Sequence, residues 1–239
     1  MRSEKKQNPW EQSLFASPLE RNFWRSAKTE MRTTKKMTAM ALLCALCGII
    51  DVFFIPVGGE FLRIQFSFLV MSVAAMAGGP IYAIPAGFLI DILSFLLSGD
   101  PAGYFPGYAL SSMLSFTFFA LFFYHAKKLS FSRIFLAKLC VSVFVNVLVG
   151  CIWRHMLYGK AYMVYFVSAA IKNITLLPIE AILLTVVFGK LLPVLKKAKL
   201  IPQGMEVSVQ RRDVVISVIG GIAGIAVLYA YYVFKTRGA

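Results

Sequence analysis

Long apolar runs alternate with short polar links from residue 37 to residue 234. The runs are continuously apolar, without the period-two alternation of a membrane barrel strand, and most reach the length of about 18 residues that crosses a bilayer as a helix. Because no water satisfies backbone groups in the hydrocarbon core, such runs must be helical. The predicted spans are 37–55, 66–78, 80–98, 106–125, 134–157, 163–192 and 213–234.

Positive charge is distributed unevenly among the links. Lys and Arg concentrate in residues 1–36, in the link after the fourth span and in the linker 196–212. Since loops rich in Lys and Arg stay in the cytoplasm, we expect the N-terminus inside the cell and, with seven spans, the C-terminus outside. Residues 1–36 lack the apolar core of a signal peptide, and we expect them to form a partly amphipathic helix on the membrane surface or to be disordered.

The composition fits a membrane protein, with 59% hydrophobic and only 15% charged residues. Topology and anionic lipid account for most of the net charge of +14, and no basic module interleaved with aromatic residues predicts a nucleic-acid partner. The four cysteines all lie in apolar runs, and no Walker A, G-x-S-x-G or H-E-x-x-H sequence occurs. We therefore expect no enzyme activity, no metal site and no cofactor.

Polar and aromatic residues cluster at the outer ends of the predicted spans. Arg63 stands among apolar residues, so it either pairs with a carboxylate, reaches the interface or contacts an anionic ligand. If this piece is extended, Ile64, Phe66 and Phe68 share one side and either stack on a flat ligand or pack in the core. The glycine-rich link at 99–108 carries further aromatic residues, which form either an interfacial belt or a lid over a pocket.

Ionisable residues also occur inside the predicted spans, where they are either structural or functional. Lys172 and Glu180 lie two turns apart in the sixth span, so they cannot pair along one helix and each needs a partner elsewhere. Asp91 in the third span is a candidate counter-charge. His155 lies in a positive outer loop and is either an interfacial side chain or part of a site for an anionic substrate.

Together these clusters resemble the substrate-binding S component of an energy-coupling factor (ECF) vitamin transporter, and specifically the folate-family S component. The resemblance covers residues 35–195. It rests on the order and spacing of "LRIQFSF" at 62–68, "GP" at 79–80 followed by Asp91, "GYFPGYALSS" at 103–112, "LYGKAY" at 157–162 and "KNITLLPIE" at 172–180.

The resemblance implies an all-α polytopic membrane protein built as a six-helix bundle, to which this chain adds a C-terminal transmembrane helix. The expected organisation is a basic cytoplasmic segment, a substrate-binding membrane domain, a basic linker and an extra helix with its tail, at 1–36, 37–195, 196–212 and 213–239. Folate or a reduced folate would be captured from outside for ATP-driven uptake. A transmembrane coupling subunit, docked on Ala41 and Ala45, and two ATPase subunits would supply the work.

Folate joins a flat pterin and an aminobenzoate to a glutamate, so a site with stacking rings and cations fits it chemically. Asn173 is expected to hydrogen-bond to the pterin edge, while Asp91 and Glu180 are structural charges. The expected cations at the carboxylates are Arg63, Lys172 or His155, and the expected ring contacts are Phe66, Phe105, Tyr108, Trp153 or Tyr158.

Two alternatives remain open at this stage. Residues 168–171, "SAAI", stand where an arginine-containing stretch is expected, so the cargo could be another vitamin or precursor, such as thiamine, riboflavin, pantothenate or a queuine-like base. A membrane scaffold with no small-molecule site is the alternative from another class. The position of the unusual residues at outer helix ends favours transport.

Overall fold

The computed structural model describes residues 14–15, 18, 20–30, 34–56, 63–99, 103–159, 162–208, 212–213, 215, 218–224 and 226. Nearly all of this part of the chain is helical. The helices are α1 (Arg21–Glu30), α2 (Thr34–Val52), α3 (Ser67–Ser98), α4 (Pro106–Phe123), α5 (Phe131–Cys140), α6 (Gly150–Tyr158) and α7 (Tyr162–Lys197). A π-helical segment, Val141–Val149, joins α5 directly to α6.

The expected multi-pass helical architecture is confirmed. Within the described residues, four runs are long and apolar enough to cross a membrane: Ser67–Ser98, Pro106–Phe123, Phe131–Leu157 and Tyr165–Lys197. The first predicted span, 37–55, is displaced, because α2 begins at Thr34 and ends at Val52. Residues 54–56 form a strand instead.

α3 is a helical hairpin rather than one long helix. Gly79 has φ 76° and ψ 178°, which interrupts the helix between its two arms. Cys47 Sγ contacts the carbonyl of the first residue of α3 at 3.5 Å, and Gly48 lies beside Leu93 near its other end. Met40 lies beside the residue preceding Gly79. The two ends of α3 are therefore close together at one level of α2, and the turn lies at another level, where the predicted spans 66–78 and 80–98 adjoin.

Two short strand pairs accompany the helices. β1 (Phe54–Pro56) pairs antiparallel with β2 (Arg63–Gln65), and β3 (Lys128–Ser130) pairs parallel with β4 (Glu206–Ser208). The sequence did not predict them, because three residues are too few to show a period-two pattern.

The N-terminal segment packs against the protein. Phe15 N–H donates to the His125 carbonyl oxygen at 2.9 Å, and the Phe23 ring on α1 lies 5.2 Å from the Tyr124 ring in an edge-to-face arrangement. Both phenylalanines are buried. Residues 21–30 are therefore helical, and the side of α1 that carries Phe23 packs on the turn after α4; a position of this helix on the membrane surface stays a prediction.

Three segments predicted to share the cytoplasmic side meet at one end of the bundle. Besides the contact of Phe15 with the turn after α4, β3 from that turn pairs with β4 from the C-terminal linker. Lys35 Nζ at the start of α2 donates to the Ala198 carbonyl oxygen at 2.7 Å. The end of α2 and the start of α3 lie together away from this end of the bundle, and so do the start of α4 and the ring of Trp153 on α6.

The described part of the C-terminal segment is helical and packs on α7 through glycines. A Cβ on Gly221 would stand 3.1 Å from Ile179, and a Cβ on Gly224 would stand 2.8 Å from the Thr175 carbonyl oxygen. Because the segment advances along its own chain while its contacts move back along α7, the two helices are antiparallel.

Candidate functional site

An aromatic triad of Phe105, Tyr108 and Trp153 joins the start of α4 to α6. The Phe105 ring lies 5.4 Å from Tyr108 and 5.6 Å from Trp153, both edge-to-face. Trp153 Nε1 donates to Ser111 Oγ at 2.9 Å, which fixes the indole. A Cβ on Gly107 would collide with the Phe105 ring, so only glycine lets the ring lie over this backbone. The triad is a set of rings held in fixed orientations.

An amide pair of Asn146 and Asn173 lies deeper in the bundle. Asn146 Nδ2 in the π-helical segment donates to Asn173 Oδ1 on α7 at 3.0 Å, and Asn173 Nδ2 donates to the Ala169 carbonyl oxygen at 2.8 Å. Asn173 is only 8% exposed. Since buried amides must be hydrogen-bonded, this pair has a fixed geometry.

Arg154 lies against the backbone beside the amide pair. Its Nε donates to the Gly150 carbonyl oxygen at 3.1 Å, and its Nη2 donates to the Asn146 carbonyl oxygen at 3.4 Å. The guanidinium carbon is 5.9 Å from the centre of the Tyr165 ring on α7. A cation is thereby held between α6 and α7 at the level of the amide pair.

The triad and the amide pair stand at different depths. Trp153 follows Asn146 by seven residues on one continuous helical run, an axial separation of roughly 10 Å at the usual rise per residue. Aromatic rings near the helix end and hydrogen-bonding amides farther in are the kinds of groups that line small-molecule sites.

The buried charge Glu180 has its expected partner on another helix. Lys138 Nζ on α5 is 3.2 Å from Glu180 Oε2 on α7, and it also lies 3.9 Å from the centre of the Phe68 ring. Lys138 was not among the predicted residues, although a lysine inside an apolar run was a visible signal.

The described contact of Asp91 is with a tyrosine rather than with a lysine of α7. The Tyr104 hydroxyl hydrogen-bonds to the Asp91 carboxylate, tying the link before α4 to α3. Partial burial, with the nearby carboxylate, raises the pKa of Tyr104, so the phenol keeps its proton and serves as the donor.

The extended arrangement considered for residues 64–68 holds only as far as Gln65. α3 begins at Ser67, so Phe66 is half-buried just before the helix and Phe68 is buried inside it. The rings therefore do not line one side of a strand, because the helix takes over their backbone. Phe66 stays a predicted contact at the end of the bundle that also holds the triad.

The other predicted residues have these positions. His155 is exposed in the last turn of α6, and Lys172 is half-buried on α7 beside Asn173; both interact with neighbours. Arg63 lies in β2 opposite Pro56. The side chains of Arg63 and Tyr158 lie outside the part of the chain that the structure describes. Ala41 and Ala45 are exposed on one face of α2.

Sequence reasoning did not identify Asn146 and Ser111 as site residues. Each is a polar residue inside an apolar run, which marks it as a candidate, but its partner on another helix is a matter of packing. Arg154 was seen only as part of a positive loop, whereas the structure folds it back onto α6.

A multi-pass helical protein with fixed rings and buried amides between helices is of the class that binds small molecules in the membrane. Residues 35–188 match the family described as ECF transporter, substrate-specific component. The chain belongs to this family, which is one of transporter components and not of enzymes.

Two relatives are each named folate transporter FolT. The protein from Clostridium novyi (strain NT) is 33% identical over 154 residues, covering 64% of this chain and 88% of the relative. The protein from Leuconostoc mesenteroides subsp. mesenteroides is 25% identical over 152 residues, covering 62% and 80%. A crystal structure of FolT bound with folic acid is similar with a TM-score of 0.60 and 29% identity, covering 66% of this chain and 95% of that one.

Proposed function

We propose that this chain is the folate-binding S component of an ECF transporter, capturing folate or a reduced folate from outside the cell. The observation that carries the proposal is the combination of the aromatic triad and the amide pair inside the family-matched region. The relatives named folate transporters support the choice of cargo.

The two parts of the site have different tasks in this proposal. The ring faces of Phe105, Tyr108 and Trp153 stack on the flat rings of the ligand, with Phe66 and Tyr158 as further contacts. Asn173 hydrogen-bonds to the pterin edge. Rings already held by Ser111 and by close packing lose little freedom on binding, which favours affinity.

Cationic side chains bind the carboxylates of the ligand's glutamate. Arg63, Lys172 or His155 takes this role, and a guanidinium suits a carboxylate best because it donates two parallel hydrogen bonds. Asp91 and Glu180 stay structural, since Tyr104 and Lys138 already engage them.

The bundle has six helices and one addition. The six are α2, the two arms of α3, α4, the run 131–158 and α7, and the C-terminal helix is the seventh. The N-terminus lies in the cytoplasm and the C-terminus outside, because exposed basic residues mark one end of the bundle. Those with described exposure are Arg25, Lys28, Lys35, Lys127, Lys128, Lys190, Lys197, Lys199 and Arg212.

Energy comes from partner subunits. A transmembrane coupling subunit docks on the exposed face of α2 that carries Ala41 and Ala45, where small side chains permit close helix packing. Two ATPase subunits complete the transporter. No Walker A sequence occurs in this chain, which agrees with that division of labour.

Titration of the purified protein tests the cargo. Folate and 5-formyltetrahydrofolate are added in detergent without ATP, with thiamine and riboflavin as controls, and binding is followed by calorimetry and tryptophan quenching. We expect both folates alone to bind tightly and Trp153→Phe to remove most of the quenching. Binding of another vitamin would keep the class and replace the cargo, and absence of any binding would support the scaffold alternative.

A further inference from the structure

We infer that Asn146 is a positioning residue that fixes the amide of Asn173 for discrimination between a 4-oxo and a 4-amino pteridine edge. The inference rests on the proposed function, because it assumes that Asn173 faces the pterin. Asn146 is not among the predicted site residues, and binding of folate does not by itself imply that a 4-amino pteridine is rejected.

The hydrogen bonds determine which way the Asn173 amide points. The Ala169 carbonyl oxygen can only accept, so it must face Asn173 Nδ2. Asn173 Oδ1 then faces Asn146, whose Nδ2 donates to it at 3.0 Å. One contact alone would let the amide plane swing about that bond, whereas the two together fix it.

The backbone around Asn146 is arranged to hold this contact. Asn146 lies within the π-helical segment Val141–Val149, and π-helical turns are rare and occur frequently at functional sites. Its carbonyl oxygen also receives Arg154 Nη2 at 3.4 Å. The side chain and the carbonyl of Asn146 are thus both engaged, one by α7 and the other by α6.

The fixed amide presents a donor to a ligand. An asparagine amide carries two N–H donors, and Asn173 directs one of them to Ala169. The second donor matches the 4-oxo group of folate, which accepts a hydrogen bond. It conflicts with the 4-amino group of aminopterin, which otherwise has the same skeleton, and a buried donor facing another donor rejects such an analogue strongly.

The test compares the dissociation constants of folate and aminopterin for the full-length protein. The wild type is expected to prefer folate by at least about tenfold, as for a mismatched buried hydrogen bond. Asn146→Leu, which keeps the side-chain size but removes the donor, is expected to lower that preference severalfold. Val143→Ala, at an exposed position of the same segment, should leave it unchanged.

A purely structural effect of the substitution would weaken both ligands equally and leave their ratio unchanged, and that result overturns the inference. A wild type that binds both ligands equally also overturns it. In Asn173→Ala the further change Asn146→Leu should not alter the ratio, since Asn146 acts through Asn173; an additional change there contradicts the inference. A wild type that binds neither ligand refutes the proposed function itself.

Discussion

At the scale of single residues, Lys138 is the buried charge with the clearest compensation. Its side chain is 4% exposed, and both the Glu180 carboxylate and the Phe68 ring lie within 4 Å. Removing one member of a buried ion pair leaves the other charge uncompensated, whereas replacing both with apolar residues is often tolerated.

We therefore predict that Lys138→Met lowers the free energy of unfolding by about 3–5 kcal/mol. The double variant Lys138→Met with Glu180→Leu should recover most of this loss. Thermal unfolding in detergent provides the measurement, with exposed Lys190→Met as a control that should change little. A double variant no more stable than Lys138→Met alone would show that the loss comes from packing and not from an uncompensated charge.

The predictability of the site differs from residue to residue. Phe105 was predicted because it lies in a glycine-rich link, and Trp153 because it lies at the outer end of a predicted span. Asn146 and Lys138 were not, because a single polar residue in an apolar run does not reveal which helix supplies its partner. The conformation of Phe68 was missed for a local reason, since the sequence did not show that α3 begins at Ser67.

At the scale of elements, the C-terminal helix lies against α7 closely enough to exclude a methyl group at one glycine. A Cβ at Gly224 would stand 2.8 Å from the Thr175 carbonyl oxygen, which belongs to backbone and cannot move aside easily. At Gly220 a Cβ would meet Pro178 at 3.8 Å, an ordinary contact. In a bilayer, helices associate through such close packing of small residues.

Gly224→Ala is accordingly expected to destabilise the helix contact by about 1–3 kcal/mol, the usual cost of overpacking. Gly220→Ala is the matched control and should be neutral. Helix contact can be measured as disulfide formation between cysteines introduced at Ile179 and Gly221 in a variant whose native cysteines are replaced. Equal cross-linking in both alanine variants would contradict close packing at Gly224.

At the scale of the whole molecule, the sequence predicted the membrane class and the boundary between two spans at Gly79, but not the assembly at one end of the bundle. Apolar runs and a Gly-Gly-Pro boundary are local signals. The pairing of β3 with β4 and the contact of Phe15 with His125 join segments far apart in the chain. Such pairings depend on which helix ends are neighbours, which a single sequence does not state.

The proposed docking face on α2 lies apart from the candidate binding site. Ala41 and Ala45 are exposed on α2 and do not belong to the aromatic triad or the amide pair, so a bulky substitution there should disturb assembly without disturbing capture. Ala45→Trp is expected to bind folate as the wild type does, yet to lose ATP-driven uptake and co-purification with the coupling subunit, because close helix packing requires small residues.

The matched control for this experiment is Leu136→Trp, at an exposed position on α5, which should retain both binding and uptake. Uptake is measured with labelled folate in vesicles that contain the complete transporter. Weaker folate binding by Ala45→Trp would place the face within the capture site, and normal uptake would exclude it as the docking surface. Normal folate binding by Ala45→Trp together with lost uptake would show that this chain captures the ligand and that its partners drive the transport.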